Sequence, residues 1–164
     1  MKNNIIDVCE RLDNLLLQSL ELMEEKVVTT IHLENHLRDG HLEMAKARYI
    51  QGKESVGMLQ VPQDTTITSL FNLETSYLEE NDEATPRFSI NLKDKEAMRE
   101  IQDPLKWFGV LVPQSLKTAQ KRFQESVYLS AKISDIGSDL NVIAKNVETL
   151  KEVKNKLLTH PDNE

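Results

Sequence analysis

The sequence predicts an all-α protein: two long helices forming an elongated antiparallel coiled-coil hairpin, around a loosely ordered middle segment with room for a short β-hairpin. Three observations carry that expectation. Glycine and proline number five each in 164 residues, aromatics are 5% and charged residues 29%, a balance that favours long helices over sheets. Apolar residues recur at steps of three and four in two stretches, the helical period. The stretches are of similar length, roughly 70 Å each at 1.5 Å per residue, which suits pairing with each other.

The first helix is expected over residues 4–51. Ile5, Val8, Leu12, Leu16, Leu20, Met23, Val27 and Ile31 make one apolar stripe to bury, and Glu10, Arg11, Asp13, Glu21, Glu24, Glu25 and Lys26 fill the solvated face. Gly40 after Asp39 predicts a bend or break, and Gly52 a stop. The middle segment, 52–103, contains Pro62, Pro86 and the polar run "LEENDEATP", too polar for a core and too long for a turn. Within it, alternating Phe88, Ile90 and Leu92 in "RFSINLK" and the β-branched "TTITSLF" suit a short hairpin.

An elbow follows over 104–112. Asp103 is a suitable N-cap, Pro104 a suitable first helical residue, and Gly109 can close the single turn "PLKWF". Val112, preceding a proline, should be extended. Pro113 then opens a second helix over 113–158, with His160 and Pro161 ending it and 159–164 as a tail. Leu116, Ala119, Phe123 and Val127 start its apolar line. Ile133, Ile136, Leu140, Ile143, Val147, Leu150, Lys154 and Leu157 continue it as a coiled-coil seam. The register drifts between the two halves, which fits an antiparallel hairpin better than a parallel dimer. The whole chain, 1–164, is expected to be a single elongated domain.

Charge excludes several functions. A net charge of -7 and a pI near 5.2 repel a phosphate backbone or an anionic bilayer, so no nucleic-acid partner is expected. No run of 18 apolar residues occurs, so no direct membrane insertion is expected, and Asp7, Glu10, Arg11 and Asp13 interrupt any signal-like segment. The expected location is the cytosol. Cys9 is the single cysteine, which excludes an internal disulfide and a four-thiolate zinc site. His32 and His36 stand four apart, with His41 and Glu43 as conceivable further metal ligands. Solvated histidines on a polar face are the plainer account, and no metal or cofactor is expected. With no phosphate loop, nucleophile elbow or His-Glu-x-x-His run, the chain is read as no enzyme.

Two stretches stand out as docking candidates. Lys46, Arg48 and Lys53, with Tyr49 among them, make a basic spot on an otherwise acidic chain. Trp107 and Phe108 either cap the open end of the hairpin or face a partner, since both rings bring large apolar areas. The same stretches, "AKARYIQGKESVGMLQ" (Ala45 to Gln60) and "QDPLKWFGVLVPQSLKTAQKRF" (Gln102 to Phe123), resemble the coiled-coil-domain assembly-factor family of the vacuolar-type proton ATPase (V-ATPase). The second is the more specific: Asp103-Pro104, Phe108-Gly109, Pro113 and the run Ser115-Leu116-Lys117-Thr118-Ala119-Gln120-Lys121-Arg122-Phe123. The middle segment takes no part in the resemblance.

The resemblance implies a non-catalytic factor that joins a membrane-anchored V-ATPase assembly factor at the endoplasmic reticulum. There it would help to assemble membrane-sector subunits and so support organelle acidification. Later secretory, endosomal and lysosomal membranes are also implied. Both stretches should meet at one end of the hairpin as a composite docking surface. Lys46, Arg48 and Tyr49 would come from the first; Asp103, Pro104, Trp107, Phe108, Gly109, Pro113, Leu116, Gln120 and Phe123 from the second. A prefoldin-like chaperone subunit and a generic coiled-coil tether stay open as alternatives, as does a homodimer.

Overall fold

A computed structural model describes residues 2–52, 54–63, 67–80, 83–93 and 103–159. Helix α1 spans Lys2–Gln51, strands β1 and β2 span Phe71–Glu80 and Glu83–Leu92, and helix α2 spans Gln114–Thr159. Short 3-10 turns occupy Met58–Gln60 and Pro104–Phe108. The expectations for Lys53, His160 and Pro161 lie outside the described residues.

The all-α expectation is overturned by the middle segment. β1 and β2 pair antiparallel along ten residues each, from Phe71↔Leu92 to Glu80↔Glu83. Of the polar run taken for a loose connection, Leu78 to Glu80 belong to β1 and Glu83 to Pro86 to β2. A two-stranded ladder satisfies its inner backbone groups whether or not the side chains are buried, so low hydrophobicity did not argue against it. Of "TTITSLF", Thr65 and Thr66 lie outside the described residues, Ile67 to Leu70 precede the strand, and only Phe71 belongs to β1.

The hairpin is held along α2 by polar contacts. Phe88 N donates to Asp135 Oδ1 at 2.9 Å. The Arg87 guanidinium grips Asp139 with both terminal nitrogens, Nη1 to Oδ2 at 2.9 Å and Nη2 to Oδ1. Phe71 meets Tyr128 edge-on, ring centres 5.7 Å apart. Because the Phe88 N–H points out of the ladder toward α2, Thr75↔Phe88 is a pair whose amides face outward. Pro86, two residues earlier, shares that orientation, so its missing N–H removes no ladder bond.

The two helices run antiparallel, with a core cluster near each end of the pair. Val8 and Leu12 pack on Ile143 and Val147, flanked by Leu15, Leu22, Leu150 and Leu157. At the other end Ala47, Val56 and Leu116 form a second cluster. The middle of the seam is more polar: Thr29 and Ser126 are buried there as well as Ile136, Lys132 pairs with Glu25 at 2.8 Å, and His36 lies 3.1 Å from Glu125.

The expectation of one buried stripe on α1 needs correcting. Val8 and Leu12 face α2, but beyond them the buried side follows Leu15, Leu22 and Thr29, spaced every seven. Leu16, Leu20, Met23, Val27 and Ile31 are exposed. From Val8 to Ile31 the predicted stripe takes more steps of four than of three, so it winds away from a seam that repeats every seven.

Gly40 does not break α1, which continues through it to Gln51. A Cβ at Gly40 would stand 2.9 Å from Phe123 Cε1, so the glycine is the notch that admits this ring. Phe123 in turn meets His41 edge-on at 5.2 Å.

Two predictions follow from this packing. An exposed helical glycine replaced by alanine gains about 1 kcal/mol, whereas Gly40→Ala should lose about 1 kcal/mol through overpacking. Combining it with Phe123→Leu should recover most of that loss, and urea denaturation measures both; a stabilised single mutant would contradict the notch. Asp139→Ala and Asp135→Ala should each cost about 1 kcal/mol. Amide exchange should quicken in β1 and β2 while α1 and α2 keep their protection; uniform loss across the chain would mean that these carboxylates do not serve the hairpin locally.

Candidate partner-binding site

Where α1 ends, the chain turns back on itself. Gly52, at φ +90°, adopts the left-handed conformation that terminates the helix. Ser55 N then donates to Gly52 O at 3.2 Å. The turn brings Val56 under the helix end, where it is 2% exposed against Ala47 and Leu116. Arg48 Nε donates to Val56 O at 2.9 Å and fixes that position.

The elbow before α2 docks on the same cluster. Asp103 Oδ1 accepts from Leu105 N at 3.0 Å and from Gln120 Nε2 at 3.3 Å, so one carboxylate caps the turn and ties it to α2. Gly109, at φ +114°, closes the turn, its N–H reaching Lys106 O at 3.4 Å. Pro113 lies just outside α2 and its carbonyl accepts from Leu116 N at 3.0 Å. Gln51 Nε2 donates to Leu111 O at 2.8 Å and joins the end of α1 to the elbow directly. Its Oε1 and the Ser115 hydroxyl are buried with no hydrogen-bond partner among the described residues.

The sequence candidates sort into two groups. Leu116 is buried, and Phe108 packs on the Ala47–Val56–Leu116 cluster together with Leu105, Met44 and Val112. Pro104, Trp107, Pro113, Gln120 and Phe123 are half-buried, while Lys46, Arg48, Tyr49, Asp103 and Gly109 are exposed. Phe108 therefore plugs the end of the hairpin. Lys46 and Arg48 flank buried Ala47 and part company: Lys46 pairs with Glu43, and Arg48 turns to Val56 O.

The outward apolar groups are ones that the sequence reading did not select. Val110 is 100% exposed, Leu111 88%, Leu59 86% and Met58 78%, beside Tyr49 at 92%. Each pair follows a glycine, Gly109 or Gly57, in a segment without regular periodicity, so nothing in the spacing distinguished outward from inward side chains. Met58 also lines a groove of about 280 Å³ between the turn and the elbow, walled further by Val56, Val61, Leu105, Phe108 and Phe123. Its wall is apolar apart from Arg48 and Gln120. Such a surface accepts side chains of another polypeptide and offers no acid–base or nucleophilic group.

The histidines do not converge. His36 turns to Glu125 and His41 to Phe123. Among the described residues no three His, Cys, Asp or Glu side chains could hold an ion, and no helix is long and apolar enough to cross a membrane.

A family model described as Vma22/CCDC115 matches residues 71–126, taking in the hairpin, the elbow and the start of α2. The match thus includes strands that the two sequence blocks leave aside. Proteins named vacuolar ATPase assembly protein VMA22 are similar over most of the chain. The one from Homo sapiens is 30% identical over 167 residues, 90% of this chain and 93% of its own length. That from Mus musculus is 34% identical over 152 residues, 80% and 84%, and that from Danio rerio 30% over 194 residues, 92% of each. With identity of that level along nearly the full length of both chains, this protein belongs to the Vma22/CCDC115 family.

Proposed function

We propose that the chain is a non-catalytic assembly factor for the V-ATPase, acting as a docking piece that holds other polypeptides rather than transforming a substrate. The observation that carries this reading is the end of the hairpin, where Tyr49, Met58, Leu59, Val110 and Leu111 stand in solvent and the turn and elbow that bear the last four enclose an apolar groove lined in part by Met58. Exposed apolar groups concentrated on a rim over a firmly packed base have the form of an interface awaiting its partner. Kinship to proteins named for vacuolar ATPase assembly supports the identity of the target.

More finely, the partner surface comprises Lys46, Arg48, Tyr49 and the elbow from Asp103 through Trp107 and Phe108 to Pro113, with Leu116, Gln120 and Phe123 beneath it. The first polypeptide bound is a membrane-anchored assembly factor at the endoplasmic reticulum, and the cargo is the membrane-embedded proton-translocating sector. An acidic chain without a spanning helix among its described residues depends on such an anchor to reach the membrane. The hairpin lies along α2 through Arg87 and Phe88; a prefoldin-like subunit would need it free to join a barrel between subunits.

The test uses the full chain as bait against detergent-solubilised membranes. Membrane-sector subunits of the V-ATPase should co-purify, and removal of the gene should raise the pH of acidic organelles; normal acidification without the protein would sink the reading. Trp107→Ala should weaken capture by at least about 2 kcal/mol with helicity unchanged by circular dichroism. Val110→Glu with Leu111→Glu should abolish capture yet shift unfolding stability by less than about 0.5 kcal/mol, because neither side chain is packed.

A further inference from the structure

A second surface lies away from that end of the hairpin. Leu16, Leu20, Met23, Val27 and Ile31 are between 45% and 62% exposed on the outer side of α1. Their steps of four, three, four and four place them on one face over roughly 22 Å of helix. The face turned to α2 in this span contains the buried, polar Thr29. The stronger apolar line of α1 thus points outward, and no described element covers it.

Charge identifies the occupant. Between Glu10 and Glu34 the helix bears six carboxylates against Arg11 and Lys26. Glu25 is bridged to Lys132, but Glu10, Asp13, Glu21, Glu24 and Glu34 have no ion pair among the described residues. An anionic bilayer is repelled by such a border, and membrane-surface helices have the opposite charge on their polar side. A second copy would bring the same carboxylates against themselves on a chain already at -7. Steps mostly of four, averaging about 3.75 residues, form a ridge along the helix that packs into the groove of another helix, with charge at its borders selecting the partner.

We infer that the outer face of α1, centred on Leu20, Met23 and Val27, docks an amphipathic helix of a partner protein whose leucine-type seam is bordered by lysine or arginine. This inference stands apart from the elbow surface. One partner could span both surfaces, but each has its own residues.

Two labelled leucine-heptad peptides of equal length, one bordered by lysine and arginine and the other by glutamate, test it by fluorescence anisotropy against the full chain. The basic peptide should bind at least tenfold more tightly than the acidic one, with affinity falling as salt rises. Leu20→Gln with Val27→Gln, both solvent-exposed positions, should reduce its binding at least tenfold at unchanged helicity. Glu21→Lys with Glu24→Lys should reverse the preference between peptides, and Val110→Glu with Leu111→Glu should leave binding unaltered. Equal binding of both peptides, no binding of either, or indifference to the Leu20 and Val27 changes overturns the inference. So does a chain that sediments as a dimer and becomes a monomer on those changes, since a second copy would then fill the face.

Discussion

The rotation of α1 about its own axis, held by its seam with α2, is the constraint on which the rest depends. A repeat of seven running through Val8, Leu15, Leu22 and Thr29 decides which residues face the neighbour. Phe123 in the notch of Gly40 sets how close the helices come. Rotated by a third of a turn, α1 would bury Leu20 and Val27 and expose Leu15 and Leu22. That alternative gains apolar burial in the middle but loses both end clusters and the notch. The packed ends therefore prevail over the middle, which is why the most hydrophobic line of α1 is left in solvent.

The same antiparallel register closes the far end. Ala47 and Leu116 are remote in sequence but share one cluster because α1 ends where α2 begins. Val56 and Phe108 fill the gap from either side, each brought in by a short turn after a helix end or before a helix start. Side-chain hydrogen bonds donated by Arg48 and Gln51 to the carbonyls of Val56 and Leu111 replace what a longer core would supply. The result is a rigid base with a loosely packed apolar rim, so hydrophobic side chains are presented to solvent without the backbone giving way beneath them.

How legible this was in the sequence depended on the kind of signal. Both helices show in spacing, because a helix imposes its period over many residues and a few exceptions do not erase it. The Asp103 cap and the Gly109 closure show too, since each rests on a side chain or backbone angle only a few residue types supply. The hairpin was legible only in Phe88, Ile90 and Leu92; its partner strand mixes Leu73 and Tyr77 with glutamates and reads as solvent-facing. That it registers on α2 through Asp135 and Asp139 is a tertiary fact with no local pattern. Which side of α1 is buried was misjudged for a related reason: two stripes overlap at Val8 and Leu12, and only the position of α2 chooses between them. Val110 and Leu111 lie in a stretch that stands out as a docking candidate but are not among its named site residues, because an apolar pair in an irregular segment looks the same whether it points in or out.

An arrangement of this sort ties stability to occupancy. Native proteins hold only about 5–15 kcal/mol of stability, and this one leaves Leu20, Val27, Val110 and Leu111 outside its core while burying polar Thr29 and Ser126 in the seam. Whatever covers an exposed apolar face of the folded chain and not of the unfolded one adds about RT ln(1 + [L]/Kd) to its stability. A partner that seats on the rim or on α1 thus stabilises the hairpin that receives it, and its departure returns the chain to its lower intrinsic stability. For a protein read as an assembly factor, that linkage makes the bound state the stable one and the idle state the vulnerable one, with no catalytic step needed to distinguish them.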